Sequence, residues 1–312
     1  MKKTLMLSAV LMFFFTFVIF TVSIAKQSPK DKAEGPWPVY AITFGNGEIY
    51  TSLDAETWTL RDSGIDIPLR AITFGKDMFV AVGDRGTIVT GSRDGLKWTP
   101  VKTEIASDLR SVAFAKNIFV AVGADGIVVI SPDGHTWTKT ALLSPGKSLD
   151  NLVFGYSQKL LEPGYFIAIN EEGTIFKSYD AITWESEEMK YTRKIKCVIY
   201  ADEKFIAVGT KGRIMTSEKA FGEFITWLDR YSSTFKDLSS IVYGNRLYVA
   251  VGADGEIITS PDLWKWTSVK SGTKSMLGAV AYGRGKFIAV GTDGTILSSS
   301  DGKTWSPGVI KK

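Results

Sequence analysis

The chain has 312 residues, 45% of them hydrophobic and 22% charged, which is the composition of an ordinary globular protein of one large or two ordinary domains. Its formal net charge is +4; without Lys2 and Lys3 the count is 35 basic against 33 acidic residues, so near neutrality that no electrostatic case for nucleic acid exists. The single cysteine, Cys197, excludes an intrachain disulfide.

Lys2 and Lys3 precede a run without charge from Thr4 to Ala25, and Ser23-Ile-Ala25 places small residues at cleavage positions. The segment 1–25 therefore reads as an export signal removed after Ala25. About 20 apolar residues are also enough to cross a bilayer, so a retained anchor is the second reading. Either one puts the rest of the chain outside the cytoplasm: periplasmic, extracellular, or anchored and facing outward. Contact with a membrane is expected only through residues 4–25, if they are uncleaved. Residues 26–38 are polar, contain three prolines and read as a linker to a domain over 39–312.

From Val39 onward one unit recurs. Its closing tryptophans are Trp58, Trp98, Trp137, Trp184, Trp227, Trp266 and Trp305, at steps of 40, 39, 47, 43, 39 and 39 residues. A fixed period near 40 residues marks a repeat architecture. The third unit shows four short apolar runs: Ser111–Ala115, Ile118–Val122, Ile127–Ile130 and Trp137–Thr140. They are rich in β-branched and aromatic residues and bounded by Gly, Asp, Asn or Pro, which is the signature of strands. Between the second and third runs lies a tight polar turn ending in Gly, as in Gly123-Ala-Asp-Gly126, with Asp84-Arg-Gly86 and Thr210-Lys-Gly212 as variants. Four antiparallel strands per unit, seven times over, predict an all-β, seven-bladed propeller.

The first unit is short. Val39–Phe44, Gly47 and Trp58 match a second strand, turn and closing Trp, with nothing before them for a first strand unless residues 30–37 supply it. The fourth unit carries an insertion over 156–164, and the fifth an expanded turn from Ser217 to Trp227.

The closing motif stands as Ser92-Arg-Asp-Gly-Leu-Lys-Trp98, Ser131-Pro-Asp-Gly-His-Thr-Trp137 and Ser299-Ser-Asp-Gly-Lys-Thr-Trp305. Ser52…Trp58, Ser178…Trp184 and Ser260…Trp266 keep Ser, Asp and Trp without the Gly. This resembles the BNR or Asp-box repeat, Ser-x-Asp-x-Gly-x-x-Trp, over about residues 39–310. Propellers with this box include sialidases, xyloglucan-active hydrolases, sortilin-type receptors and photosystem II stability/assembly factors. The chain is most similar in texture to the last group and to related secreted bacterial propellers. The resemblance implies that the box is a structural turn on the face opposite a ligand site. It does not imply sialidase activity, because the Arg-Ile-Pro motif is missing and Ile67-Pro-Leu-Arg70 has the wrong order.

On a propeller the loops joining one blade's fourth strand to the next blade's first share a face with the second-to-third turns. Loops on a rigid scaffold are where function concentrates. The residue before each first strand reads Arg70, Arg110, Asp150, Lys196, Ser239 and Gly278. Arg70, Arg110 and Lys196, reinforced by Tyr191 and Arg193, form a basic arc fitted to an acidic protein partner. Asp108 and Asp237 precede the third and sixth first strands and are the pair that could serve a glycan-directed activity, with turn residues as the plain alternative. The sole histidine, His135, lies inside a closing turn, which leaves no material for a Ser-His-Asp or His-rich zinc centre. No cofactor, metal or catalytic residue is expected. The sequence thus points to a non-catalytic, exported interaction scaffold, with a lectin or glycosidase as the alternative.

Overall fold

The computed structural model describes residues 21–24, 40–44, 46–156, 164–170, 172–188, 194–217 and 225–311. Tyr191 and Arg193, the linker 26–38, most of the insertion and residues 218–224 of the expanded turn lie outside this set. The described residues form seven sheets, six of them wholly antiparallel and the first carrying one parallel edge strand, arranged as a seven-bladed propeller with almost no helix.

Blade three shows the plan. Its strands are Leu109–Ala115, Ile118–Gly123, Ile127–Ser131 and Thr138–Leu142, paired in chain order. The first strands of all seven blades pack side by side around the axis. Each blade is covered on both faces, so its second strand is a continuous apolar run rather than an alternating one. Ile118–Gly123 and Lys286–Gly291 are buried from their second residue onward.

The core is accordingly divided into seven layers, one per blade-to-blade contact. Ala71, Val80 and Val82 of blade two meet Val112, Phe119 and Ala121 of blade three. The layer that closes the ring joins Tyr40, Ile42, Tyr50 and Trp58 of blade one to Ala279, Ile288, Val290 and Ile296 of blade seven. Trp58 is fully buried there. The Tyr40 hydroxyl donates to the Gly283 carbonyl at 3.0 Å across the same seam.

Blade one is completed from both ends of the chain. Its innermost strand is Thr21–Ile24, paired antiparallel with Tyr40–Thr43, whereas residues 30–37 were the sequence's candidates for that place. On its outer edge Val309–Lys311 runs parallel to Thr57–Arg61, with Val309 N–H bonded to the Glu56 carbonyl at 2.7 Å. Aliphatic and β-branched residues at the end of the leader explain why it can serve as a strand.

Among the described residues, six closing turns pair their Ser hydroxyl with their Asp in the same way. In Ser299–Trp305 the Ser299 hydroxyl accepts the N–H of Gly302 and donates to Asp301, whose carboxylate accepts the N–H groups of Lys303 and Thr304 at 2.8 and 2.7 Å. These two N–H groups hold the Asp301 carboxyl at about 2. The Trp305 indole N–H then donates to the Gly302 carbonyl at 3.1 Å, fastening the turn to the sheet. Gly302 has φ +72; in the copies that lack the Gly, Ala55, Ala181 and Leu263 adopt the same left-handed backbone at φ +64, +62 and +68.

Candidate functional site on the loop face

In six blades the first strand begins with a buried aliphatic residue: Leu69, Leu109, Leu149, Ile195, Leu238 and Leu277. The next residue has no partner across the ladder. Thus Leu109 pairs with Gly123 and Ser111 with Val122, leaving Arg110 bulged out. Arg70, Asp150, Lys196, Ser239 and Gly278 occupy the same bulge in their blades. The sequence reading put these residues before the strand. They lie inside it, because the extra residue breaks the two-residue alternation that marks a strand. A bulge re-aims its side chain, and here it aims a ring of side chains at the loop face.

Of the basic arc, Arg70, Arg110 and Lys196 are among the described residues, and each of these three cations has a carboxylate neighbour. Arg70 forms a two-point contact with Asp84 in the turn of its own blade. Arg110 donates through Nη1 to Asp150, the bulge residue of the next blade, at 2.5 Å. Lys196 donates to Asp237 at 3.0 Å. The arc is therefore a set of partly exposed ion pairs. Arg110 stands apart within it: among the described residues its Nε is buried without an acceptor and Asp150 is its one ion-pair partner.

Asp108 and Asp237 act as clips between blades. Asp108 accepts the backbone N–H of Arg85, and Asp237 that of Lys211, each at 2.9 Å and each in the turn of the preceding blade. Their own carbonyls accept the N–H of Ala124 and Ala253 at 2.8 and 2.9 Å. Burial raises the Asp237 carboxyl, but the Lys211 N–H and Lys196 outweigh it and the net shift is downward. The two carboxylates thus hold equivalent structural posts in blades three and six, the turn role given as the plain alternative above.

Two further groups on this face escaped the sequence reading. Arg85 and Lys211 occupy the exposed tips of the second-to-third turns in blades two and five, where blades three, six and seven carry Asp125, Asp254 and Asp293. The exchange of acid for base at that tip was a signal available in the repeat alignment. Tyr231 and Phe235 lie on the loop between blades five and six, 76% and 88% exposed. The loop is clamped onto its own blade's turn, since a Cβ on Gly212 would overlap the Thr234 carbonyl. The corresponding glycines 47, 86 and 255 face Ile65, Ile105 and Thr273, so Phe235 aligns with Asp66, Ala106 and Lys274. Only repeat-by-repeat alignment sets an aromatic residue against charged or small ones.

Elsewhere little chemistry is available. Among the described residues no group of three or more His, Cys, Asp or Glu side chains could hold a metal ion. The Cys197 thiol is pushed up by burial and packs against the layer between blades five and six, in keeping with a small apolar role. His135 sits in the blade-three closing turn, its N–H donating to Asp133, on the face away from the arc.

Comparison with known proteins agrees with this architecture. A family model described as the DUF6242 beta propeller domain matches residues 64–194. No curated protein sequence matches the chain. Among solved structures, YCF48 from Cyanidioschyzon merolae is similar at TM-score 0.71 and 15% identity, covering 92% of this chain and 96% of its own. A structure of YCF48 bound to D1 peptide is similar at TM-score 0.69 and 14% identity, covering 90% and 91%. The computationally designed Ika8 protein follows at TM-score 0.59 and 13% identity, covering 90% and 96%. The chain is thus a seven-bladed propeller similar in fold to YCF48.

Proposed function

We propose that this protein is a non-catalytic scaffold, exported to the cell envelope, that binds an acidic segment of a partner protein on its loop face. The observation that carries the reading is Arg110. Its guanidinium is partly exposed, is aimed outward by a bulge and spends one nitrogen on Asp150, leaving donors for an incoming carboxylate. Arg70 and Arg85 on the neighbouring blade extend the same patch. YCF48, a propeller of this fold, has been solved with a bound peptide, and that supports peptide recognition as a use of the scaffold. Asp108 and Asp237 are already engaged by backbone N–H groups, which favours binding over glycan cleavage.

The test is crosslinking capture from the native envelope with wild type and with a variant carrying Arg70→Gln, Arg85→Gln and Arg110→Gln. A discrete protein captured by the wild type and lost from a variant that still unfolds cooperatively is the expected result. Equal capture by both would remove this patch as the binding surface.

A further inference from the structure

The path of the chain into blade one fixes more than its fold. Thr21 pairs with Thr43, and Ile24 with Tyr40. Thr43 leads into the second-to-third turn of blade one, where Gly47 packs against the carbonyls of Ile65 and Ile67 in the loop to blade two. The strand Thr21–Ile24 therefore begins at the loop-face end of the axis. The residues before it, Thr4 to Phe20, are 17 in number and include no charged side chain. That is the short end of the length range for crossing a bilayer. Cleavage after Ala25 would remove the strand that fills the gap between the first strands of blades two and seven.

The same face carries the most exposed aromatic residues among those described, Tyr231 and Phe235, on a loop clamped to its blade. Exposed lysines stand around the rim at Lys102, Lys211, Lys270 and Lys274, interspersed with exposed carboxylates such as Asp66, Asp125 and Asp254. Aromatic rings with lysines at one level are the composition of a membrane interface. By contrast, a face turned toward bulk water gains nothing from holding Phe235 88% exposed.

We propose that the leader stays uncleaved, with Thr21–Ile24 closing the ring, and that it holds the loop face against a lipid bilayer with Tyr231 and Phe235 among the headgroups. The inference goes beyond the peptide-binding reading and stands or falls separately from it. In this arrangement an acidic segment reaches the arc from the membrane surface, along the gap between bilayer and propeller.

The experiment has two arms on the full chain. Mass spectrometry of the protein recovered from its native membrane reads the N-terminus, expected upstream of Thr21; a terminus at Lys26 overturns the proposal while leaving capture through Arg110 unaffected. In proteoliposomes, a fluorophore is attached at Phe235→Cys or, on the opposite face, at Lys303→Cys, both in a Cys197→Ser background. Headgroup spin labels are expected to quench the 235 probe at least twofold more than the 303 probe. Equal quenching, or stronger quenching at 303, overturns the orientation. Loss of the 235 signal together with capture of a protein on that loop would assign Phe235 to a protein partner instead and overturn the membrane contact.

Discussion

Arg110 and Asp150 stand at the same bulge of successive blades, and a guanidinium nitrogen of one lies 2.5 Å from a carboxylate oxygen of the other. The repeat thus pairs with itself across a blade boundary. Both side chains are partly screened from water, 29% and 18% exposed, which places the pair between a surface and a buried ion pair. A double-mutant cycle of Arg110→Gln and Asp150→Asn in denaturant unfolding is expected to give a coupling of about 1–2 kcal/mol. A coupling indistinguishable from zero would mean that the contact is incidental.

Gly123 tests the bond between turn and loop. Its φ of −173° is open to any residue, but a Cβ there would overlap the Asp108 carbonyl oxygen that accepts the Ala124 N–H. Gly123→Ala is expected to cost about 3 kcal/mol or more, because two backbone segments must separate. Gly146→Ala is the comparison, since its Cβ would meet nothing within 4 Å and only its φ of +75° opposes the change, for about 1 kcal/mol. Chemical denaturation of both variants separates the steric from the conformational cost.

The closing turns predict an acid limit. The Asp301 carboxyl is held at about 2 by two backbone N–H groups, below the ordinary 3.8. Its contribution is fully present above the unfolded value near 4 and is lost as pH falls through about 2. Stability of the wild type should therefore drop between pH 4 and pH 2, and Asp301→Asn should flatten that slope. Denaturant midpoints at pH 6, 4, 3 and 2.5 decide it; parallel curves for the two proteins would contradict the assignment.

The aromatic loop should be silent in folding. Phe235→Ala and Tyr231→Ala remove side chains that are almost wholly in water, and each is expected to change stability by less than about 0.5 kcal/mol. A loss above about 2 kcal/mol, read by thermal or denaturant unfolding, would show that the rings pack against the propeller.

Much of the fold was legible because the seven tryptophans and the turn glycines recur at one spacing, and closure of the ring follows from sheets that need covering on both faces. The bulges were not legible. Leu109 and Ser111 look out of phase in sequence, and only the ladder shows that Arg110 is the residue left over. Nor could the pairing of Arg70 with Asp84 or Lys196 with Asp237 be read, since one depends on how the blade's own turn folds back over its bulge and the other on where the loop entering the next blade passes. Thr21–Ile24 was hidden for another reason: a strand-forming end of an apolar leader has the same composition as the rest of it.

The seam between blades one and seven also sets an order of events. Tyr40 meets Gly283 across 243 residues of chain, and Glu56 meets Lys286 across 230. As a ribosome delivers the chain, blades two to six can stack on one another in turn, each finding its neighbour within some 40–50 residues. Blade one meets blade two early, but its other face, with Trp58, Ile42 and Tyr50, waits for nearly the whole chain. Contacts of such long separation form slowly and leave apolar surface exposed meanwhile. The nascent protein is thus most open to proteases and self-association on one face of its first blade, until Ala279, Ile288 and Val290 emerge to cover it.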